Sequence, residues 1–462
     1  MKIKNFSIDA SPTKEFFMEM LIRDIPLSRA ILDLVDNSVD SARTLASSAD
    51  LSDYEINITL DEASFIIKDN CAGIDLKTAE NYAFRFGRIT DLESAGSRDT
   101  GNSIGQFGVG MKRALFKIGE EFEIKSTSKN EYLHMKENVD NWKQYKNAEG
   151  VDDWHFKVED DTSTGMTNQV TGTEIVISEL HSPIKEDFTE SYFINTLIEE
   201  IQIAHSVSLS NKIKIKIHSL TGTKELKPFA LNLISSEKIK PAYKKLVFEK
   251  DSDNPVTVEI FAGVVPRDLE TSGWYIFCND RTVLQSDKSN DTAWGTDKTV
   301  KFHHYFSRFK GFVFFSSDDS SKLPWTTTKT GVDTDSIIYK STLNEMVNIA
   351  KPIISFLKEV GKETIDFNSS KTNGTPLKDA IDKGHKEVIS YKNIVSESDV
   401  LKIDIERAEE NPEYNPETKI QYSRSVEQIA EMIDYIETVN SAKDVGEFTF
   451  DYYYDNFIGD NE

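Results

Sequence analysis

The densest set of groups able to do chemistry lies in Ala30-Ile31-Leu32-Asp33-Leu34-Val35-Asp36-Asn37-Ser38-Val39-Asp40-Ser41-Ala42. On a helix at ~100° per residue, Asp33, Asp36, Asn37 and Asp40 fall within one arc of roughly 100°. Ile31, Val35, Val39 and Ala42 fall opposite, with Leu32 at the edge. One face would pack a core while the other gathers three carboxylates and a carboxamide. Like charges at this spacing repel on a bare helix, and a bound cation would relieve them. Taken alone, the segment reads more simply as a solvated acidic face.

Three further segments bear on the same question. In Ser64-Phe65-Ile66-Ile67-Lys68-Asp69-Asn70-Cys71-Ala72-Gly73-Ile74 an apolar strand delivers an Asp into a Gly-containing turn. Such a carboxylate can accept from an exocyclic amine, and Gly73 permits close approach of a flat ring. In Ser103-Ile104-Gly105-Gln106-Phe107-Gly108-Val109-Gly110-Met111-Lys112-Arg113-Ala114 three glycines precede an amphipathic helix. Backbone N–H groups at a helix start make an anion cradle, to which Lys112 adds positive charge. The spacing is neither that of the Gly-x-x-x-x-Gly-Lys-Ser/Thr phosphate loop nor that of the dinucleotide fingerprint. Thr171-Gly172-Thr173-Glu174-Ile175-Val176-Ile177 is a turn into a strand and alone says little.

The elements that must position these groups can be read from periodicity. A helical pattern covers Lys14 to Leu45, broken near Pro26, followed by strands Glu55–Leu60 and Ser64–Lys68. Arg88 to Gly105 is polar, Gly-containing and reads as a loop, and a helix runs from about Val109 to Ile118. Strands follow at Phe122–Ser126 and Glu174–Ile177. A second region opens near Thr189 with a helix over Tyr192–His205 and strands Lys212–Ile217, Thr257–Val264, Gly273–Phe277 and Gly311–Phe315. It closes on a helix from about Thr334 to Val360. Asp366 to Pro376 suits a linker, and the acidic remainder reads as mostly helical. The expected domains are therefore 1–188, 189–362 and 363–462.

The chain has 462 residues, 54 Lys and Arg against 78 Asp and Glu, and a formal charge of −24. Length suggests about three domains at ~150 residues each. The acidity argues against a chain whose whole surface binds nucleic acid or anionic lipid. No apolar run approaches the ~18 residues of a membrane span. With two cysteines, Cys71 and Cys278, no disulfide framework is implied, and a cytoplasmic location is expected.

Together and in this order, the four segments resemble the boxes of the GHKL ATPase superfamily, which holds DNA gyrases, MutL mismatch-repair proteins, heat-shock chaperones, MORC proteins and histidine kinases. The resemblance covers residues 1 to about 180. It implies an α+β fold: a Bergerat-type α/β sandwich that binds ATP, then a βαβ transducer-like domain and a mostly helical C-terminal region. By the same resemblance Asn37 would be the magnesium ligand, and Asp33 stands where a catalytic Glu is usual. Asp40, Asp69, Gly73, Ile74 and Thr173 would bind the nucleotide, with Asp69 on the adenine amino group. Ser103, Gly105, Gln106, Phe107, Gly108, Val109, Gly110 and Lys112 would form the lid and phosphate cradle. Leu323-Pro324-Trp325-Thr326-Thr327-Thr328-Lys329-Thr330-Gly331 is similar to the transducer lysine loop, which would put Lys329 at the terminal phosphate. Trp274 to Arg281 looks like a transducer strand and turn, and no phosphoacceptor His segment precedes the Asn box, so the kinase reading drops out.

The resemblance thus implies a MORC/MutL-like clamp that uses ATP and magnesium, with Arg88–Gly105 as lid and Met1–Ile8 crossing over in an ATP-dependent homodimer. Its hydrolysis would be slow. Aspartate is one methylene shorter than glutamate, and misplacement by ~1 Å can cost ~100-fold in rate. The alternative is an ATP-sensing scaffold that presents its C-terminal region to a protein partner. There Val426, Ile429, Met432, Ile433 and Ile436 share a helix face, and Phe448 to Ile458 mixes aromatics with Asp. Lys212, Lys214 and Lys216, and the stretch Lys298 to Lys310, could touch phosphates, although a solvated face is commoner. DNA therefore stays one of two open choices for the clamped partner, protein the other.

Overall fold

The computed structural model describes residues 11–86, 104, 109–165, 169–384, 388–394, 398–416 and 418–459. Two helices open the chain. Thr13 caps α1 (Lys14–Ile22) by accepting the Phe16 amide at 3.3 Å. The break before α2 (Leu27–Leu45) falls at Pro26, which has no N–H to continue a helix. Strands β1 (Glu55–Leu60) and β2 (Ser64–Asp69) pair antiparallel, with Ile56 opposite Asp69. Ile56, Ile58 and Leu60, then Phe65 and Ile67, are buried, because alternate residues share a face. The same alternation carries Asp69 to the inner face at the strand's end.

Helix α3 (Gly110–Ile118) leads into β3 (Gly119–Thr127), β4 (Glu131–Asn138), β5 (Ser163–Thr164) and β6 (Gly172–Leu180). After α4 (Ser191–Ala204) come β7 (Lys214–Ser219) and β8 (Gly222–Glu225). All eight strands form one sheet in the order β5-β4-β3-β6-β2-β1-β7-β8. The sheet thus takes in strands that lie beyond residue 188. Strand β7 is the parallel neighbour of β1, with Ile58 opposite Ile217. Its Ile215 and Ile217 complete the buried inner face, while Lys214 and Lys216 point outward. The outer face is polar and cross-strand paired, as in Lys68–Glu174 at 2.9 Å and Lys136–Glu121 at 3.0 Å.

The second sheet holds β9 (Ala242–Phe248), β10 (Val256–Val264), β11 (Gly273–Cys278), β12 (Arg281–Asp287) and β13 (Phe309–Ser316), in the order β9-β10-β13-β11-β12. Only β11 and β13 run parallel. Burial of β11 is continuous and that of β13 nearly so, the mark of strands covered on both faces. Helix α5 (Ile337–Asn368) packs Tyr339, Met346, Ile353 and Leu357 into the core.

Helix α5 also runs into the segment expected as a linker, and the chain after it is tied down. The Glu363 carboxylate accepts the Leu377 and Lys378 amides at 3.0 and 3.1 Å, capping α6 (Pro376–Lys383). Beyond α6, Val388–Ser390 pairs with Asn232–Ile234 and Lys402–Ile403 with Ile239–Lys240, so this stretch is extended. Two helices come last. None of α7 (Val426–Tyr435) is buried, and α8 (Ala442–Phe457) buries only Val445. Among the described residues no helix is long and apolar enough to cross a membrane.

Candidate functional site

Asp69 anchors the first wall. Its Oδ2 accepts the Ser38 hydroxyl of α2 at 2.6 Å, and its Oδ1 accepts the Cys71 and Thr173 amides at 3.0 and 3.2 Å. Burial raises its carboxyl above the ordinary range, and these hydrogen bonds offset only part of that rise. The turn after it is strapped on both sides. The Ala72 amide donates to Ser41 Oγ at 2.9 Å, and the Ile74 amide to Ser126 Oγ at 2.8 Å. Ser126 Oγ also lies 2.8 Å from Thr173 Oγ1.

Gly73 sits at φ +71°, where a Cβ would stand 2.1 Å from the Thr127 carbonyl oxygen. Gly73→Ala is therefore expected to lose roughly 1–3 kcal/mol to backbone strain alone. Widening of this turn should also weaken adenine-nucleotide binding, which thermal melting and a fluorescent-nucleotide titration would measure together.

The polar arc of α2 forms the second wall. Asn37 is exposed, while Asp33 is mostly covered. The Asp33 carboxylate lies against the start of α3. A Cβ on Gly110 would come within 2.9 Å of it, and Arg113 Nη1 stands 3.7 Å away. The Asp40 carboxylate accepts the Ile104 amide at 2.9 and 2.8 Å, tying the beginning of the glycine segment to α2. Val109 precedes α3 directly.

Lys112 is buried, and its ammonium donates to the carbonyls of Ala83 at 3.0 Å and Arg85 at 2.7 Å. Burial lowers its pKa to about 8. The reason is positional: Lys112 is two residues into α3, on the side that packs over the 79–86 segment. Ser103, Gly105, Gln106, Phe107 and Gly108 lie outside the described residues. So do the lid expected over Arg88–Gly105, save Ile104, and the Met1–Ile8 arm.

The third wall comes from the second sheet's side of the molecule. Trp325 bridges Val332, the Thr326 amide donates to the Gly331 carbonyl at 3.0 Å, and the Lys329 amide donates to the Thr326 carbonyl at 2.9 Å. At the tip of this tight loop Lys329 adopts φ +53°, unusual for a side-chain-bearing residue. Its ammonium donates to Asp33 Oδ1 at 3.2 Å and Asp36 Oδ2 at 2.7 Å. Burial would lower the Lys329 pKa, but Asp36 and Asp33 outweigh it and raise it.

Asp36, expected on a polar arc, is instead fully buried. Arg281 Nε donates to its Oδ1 at 2.7 Å. His205 Nε2 stands 3.0 Å from the same oxygen, off the line a hydrogen bond requires. Burial pushes the Asp36 carboxyl up, yet Arg281 and then Lys329 hold it well below the usual range. The sequence pattern gives no site role to Ser38, Ser126, His205 or Arg281. The one available signal is the excess of carboxylates on α2, which calls for cations from elsewhere in the chain.

A divalent cation can be tested against these residues. Among the described residues no group of three His, Cys, Asp or Glu could hold a metal by itself. The exposed Asn37 carboxamide suits the magnesium mode, in which few protein oxygens act beside substrate phosphates and water. Residues 25–173 match the family described as histidine kinase-, DNA gyrase B-, and HSP90-like ATPase. That span includes Asp33, Asn37, Asp69, Gly73, Gly110 and Thr173, while His205, Arg281 and Lys329 lie beyond it. No curated protein matches the chain significantly.

Proposed function

We infer that residues 25–173, which match the histidine kinase-, DNA gyrase B-, and HSP90-like ATPase family, form a GHKL-type ATPase domain, and that the chain binds ATP with magnesium and hydrolyses it slowly as a MORC/MutL-like clamp. Asp69 accepts the adenine amino group, and Asn37 holds the magnesium ion, which when bound neutralises phosphate charge. Asp33 orients the attacking water and takes its proton as the bond to the terminal phosphorus forms and the bond from that phosphorus to the bridging oxygen breaks, releasing ADP and phosphate. Lys329 stabilises the charge that gathers on that phosphate. Lid closure over the nucleotide and dimerisation of two chains complete the cycle.

The observation that carries this reading is the reach of Lys329. A lysine far outside the matched family segment places its ammonium 3.2 Å from Asp33. Calorimetry with a non-hydrolysable ATP analogue should show binding that needs magnesium, and a phosphate-release assay should show slow turnover. Absence of analogue binding would end the proposal. Light scattering that stays monomeric with the analogue would remove the clamp.

A pH dependence arises from Asp69. The ionised carboxylate accepts from the adenine amine more strongly than the protonated acid does, and burial raises its pKa. On acidification from neutral, nucleotide affinity should therefore fall sooner than for an ordinary Asp near 3.9. Titrations across pH should show that fall in the wild type and its loss in Asp69→Asn, whose baseline affinity is lower.

Two observations bear on the partner. Lys216 pairs with Glu55 at 2.9 Å, Arg308 with Asp382 at 2.6 Å, and Lys310 is buried, so each basic stretch spends part of its charge internally. Helix α8 instead exposes Phe448, Phe450, Tyr453 and Phe457. This favours, as the second reading, a scaffold that senses ATP and presents its C-terminal region to a protein. Tight ATP binding with no measurable turnover would select it.

A further inference from the structure

Asp36 is one turn of α2 from Asp33, and its two oxygens are divided between distant parts of the chain. Oδ1 takes Arg281 from the β11–β12 hairpin and faces His205 at the end of α4, while Oδ2 takes Lys329. Arg281 is itself fixed, since its Nη1 donates to the Thr282 carbonyl at 2.8 Å. The Thr282 hydroxyl in turn donates to the Ile203 carbonyl on α4 at 2.7 Å.

The hairpin turn is equally constrained. Asn279 and Asp280 both adopt positive φ, +46° and +65°, as a two-residue hairpin turn requires. Asn279 and Ser317 exchange hydrogen bonds of 3.1 Å. From the other side, Arg43 of α2 donates to the Asn279 carbonyl at 2.8 Å and to Asp280 at 3.2 Å. Helix and hairpin thus grip each other through two arginines that point in opposite directions. A cavity of about 170 Å³ lies beside this seam, lined in part by Arg29, Glu200, Arg281, Lys329 and Thr330. Lys329 and Thr330 thus border open space on that side, while the Lys329 ammonium is held by Asp36 and Asp33.

Resting on the ATPase reading above, we propose that Asp36 is a positioning residue for hydrolysis: its Oδ2 seats the Lys329 ammonium beside Asp33, and Arg281 orients the carboxylate that does so. The second sheet's hairpin thereby sets where the lysine stands. Nucleotide binding, which uses Asp69, the turn at Gly73 and the exposed Asn37, does not depend on this seat.

The test uses the full chain and the variants Arg281→Met, Lys329→Met and both together, because Asp36 variants risk misfolding. Arg281→Met should lower kcat by ~10–100-fold, the effect of displacing one reacting group by about an ångström. Its affinity for the ATP analogue should stay within ~3-fold of wild type, a loss confined to the transition state. The double variant should be no slower than Lys329→Met, since both changes act through one ammonium. Amine labelling read by mass spectrometry supplies a measure independent of turnover: Lys329 should be shielded in the wild type and label several-fold faster in Arg281→Met. Unchanged labelling overturns the proposal whatever the ATPase does, and so do unchanged kcat or multiplicative losses in the double variant. Shielded Lys329 in a wild type that binds no nucleotide would instead defeat the ATPase reading and leave the seat standing.

Discussion

Asp33→Asn is expected to abolish measurable ATP turnover while leaving affinity for the ATP analogue within a few-fold of wild type. An asparagine keeps the shape of the side chain but cannot take a proton, and loss of a general base costs ~10²–10⁴-fold. The surroundings favour a clean result. The carboxyl rests against the start of α3, where Gly110 leaves room for it, and it faces Arg113 and Lys329 rather than the apolar core. The amide keeps an acceptor oxygen toward Lys329, which retains Asp36 as its counter-ion, so the fold should persist. A phosphate-release assay beside calorimetry decides the matter, and unchanged release would remove Asp33 from the mechanism.

Asp36→Leu is expected to be the most destabilising single change in the chain's seam. It leaves the Arg281 guanidinium and the Lys329 ammonium buried without a shared counter-ion, with His205 beside them. Breaking a buried pair by removing one partner costs roughly 3–5 kcal/mol. The signs agree with the pKa directions. Asp36 is held below its ordinary value, so its contribution is present above the unfolded carboxyl's pKa and is lost as pH falls through the lower folded value. Calorimetric unfolding should show a large drop in Tm, with the two sheets' units separating into distinct transitions. A variant that melts with the wild type would mean that the cluster contributes nothing net.

Much of the site is legible in the sequence because its determinants are local. Asp33, Asn37 and Asp40 share an arc of α2 through helical period alone, and Asp69 ends an apolar strand whose alternation dictates the inner face. The glycines report close approaches, as at Gly73 and Gly110. The lysine loop is expected only through the resemblance of Leu323 to Gly331 to a transducer loop.

The hidden part is long-range. Nothing near Asp36 says that it will be buried by an arginine 245 residues later. Polarity reads as exposure until a partner appears. The carbonyls that Lys112 meets at Ala83 and Arg85 are likewise not legible, because position in sequence does not fix the direction of a long side chain. Strand β7 looks like the start of a new domain because helices precede it. A parallel neighbour for β1 needs such a crossover, and the sequence pattern does not distinguish the two cases.

The attachment of β7 to β1 matters for anyone cutting the protein into pieces. A fragment ending near residue 188 would strip β1 of the neighbour beside Glu55–Thr59 and bare a row of unpaired amides and carbonyls next to an apolar face. Bared edges of this kind recruit other chains. The smallest well-behaved ATPase piece should therefore extend through Glu225, and self-association of a shorter one would reflect the cut rather than the clamp.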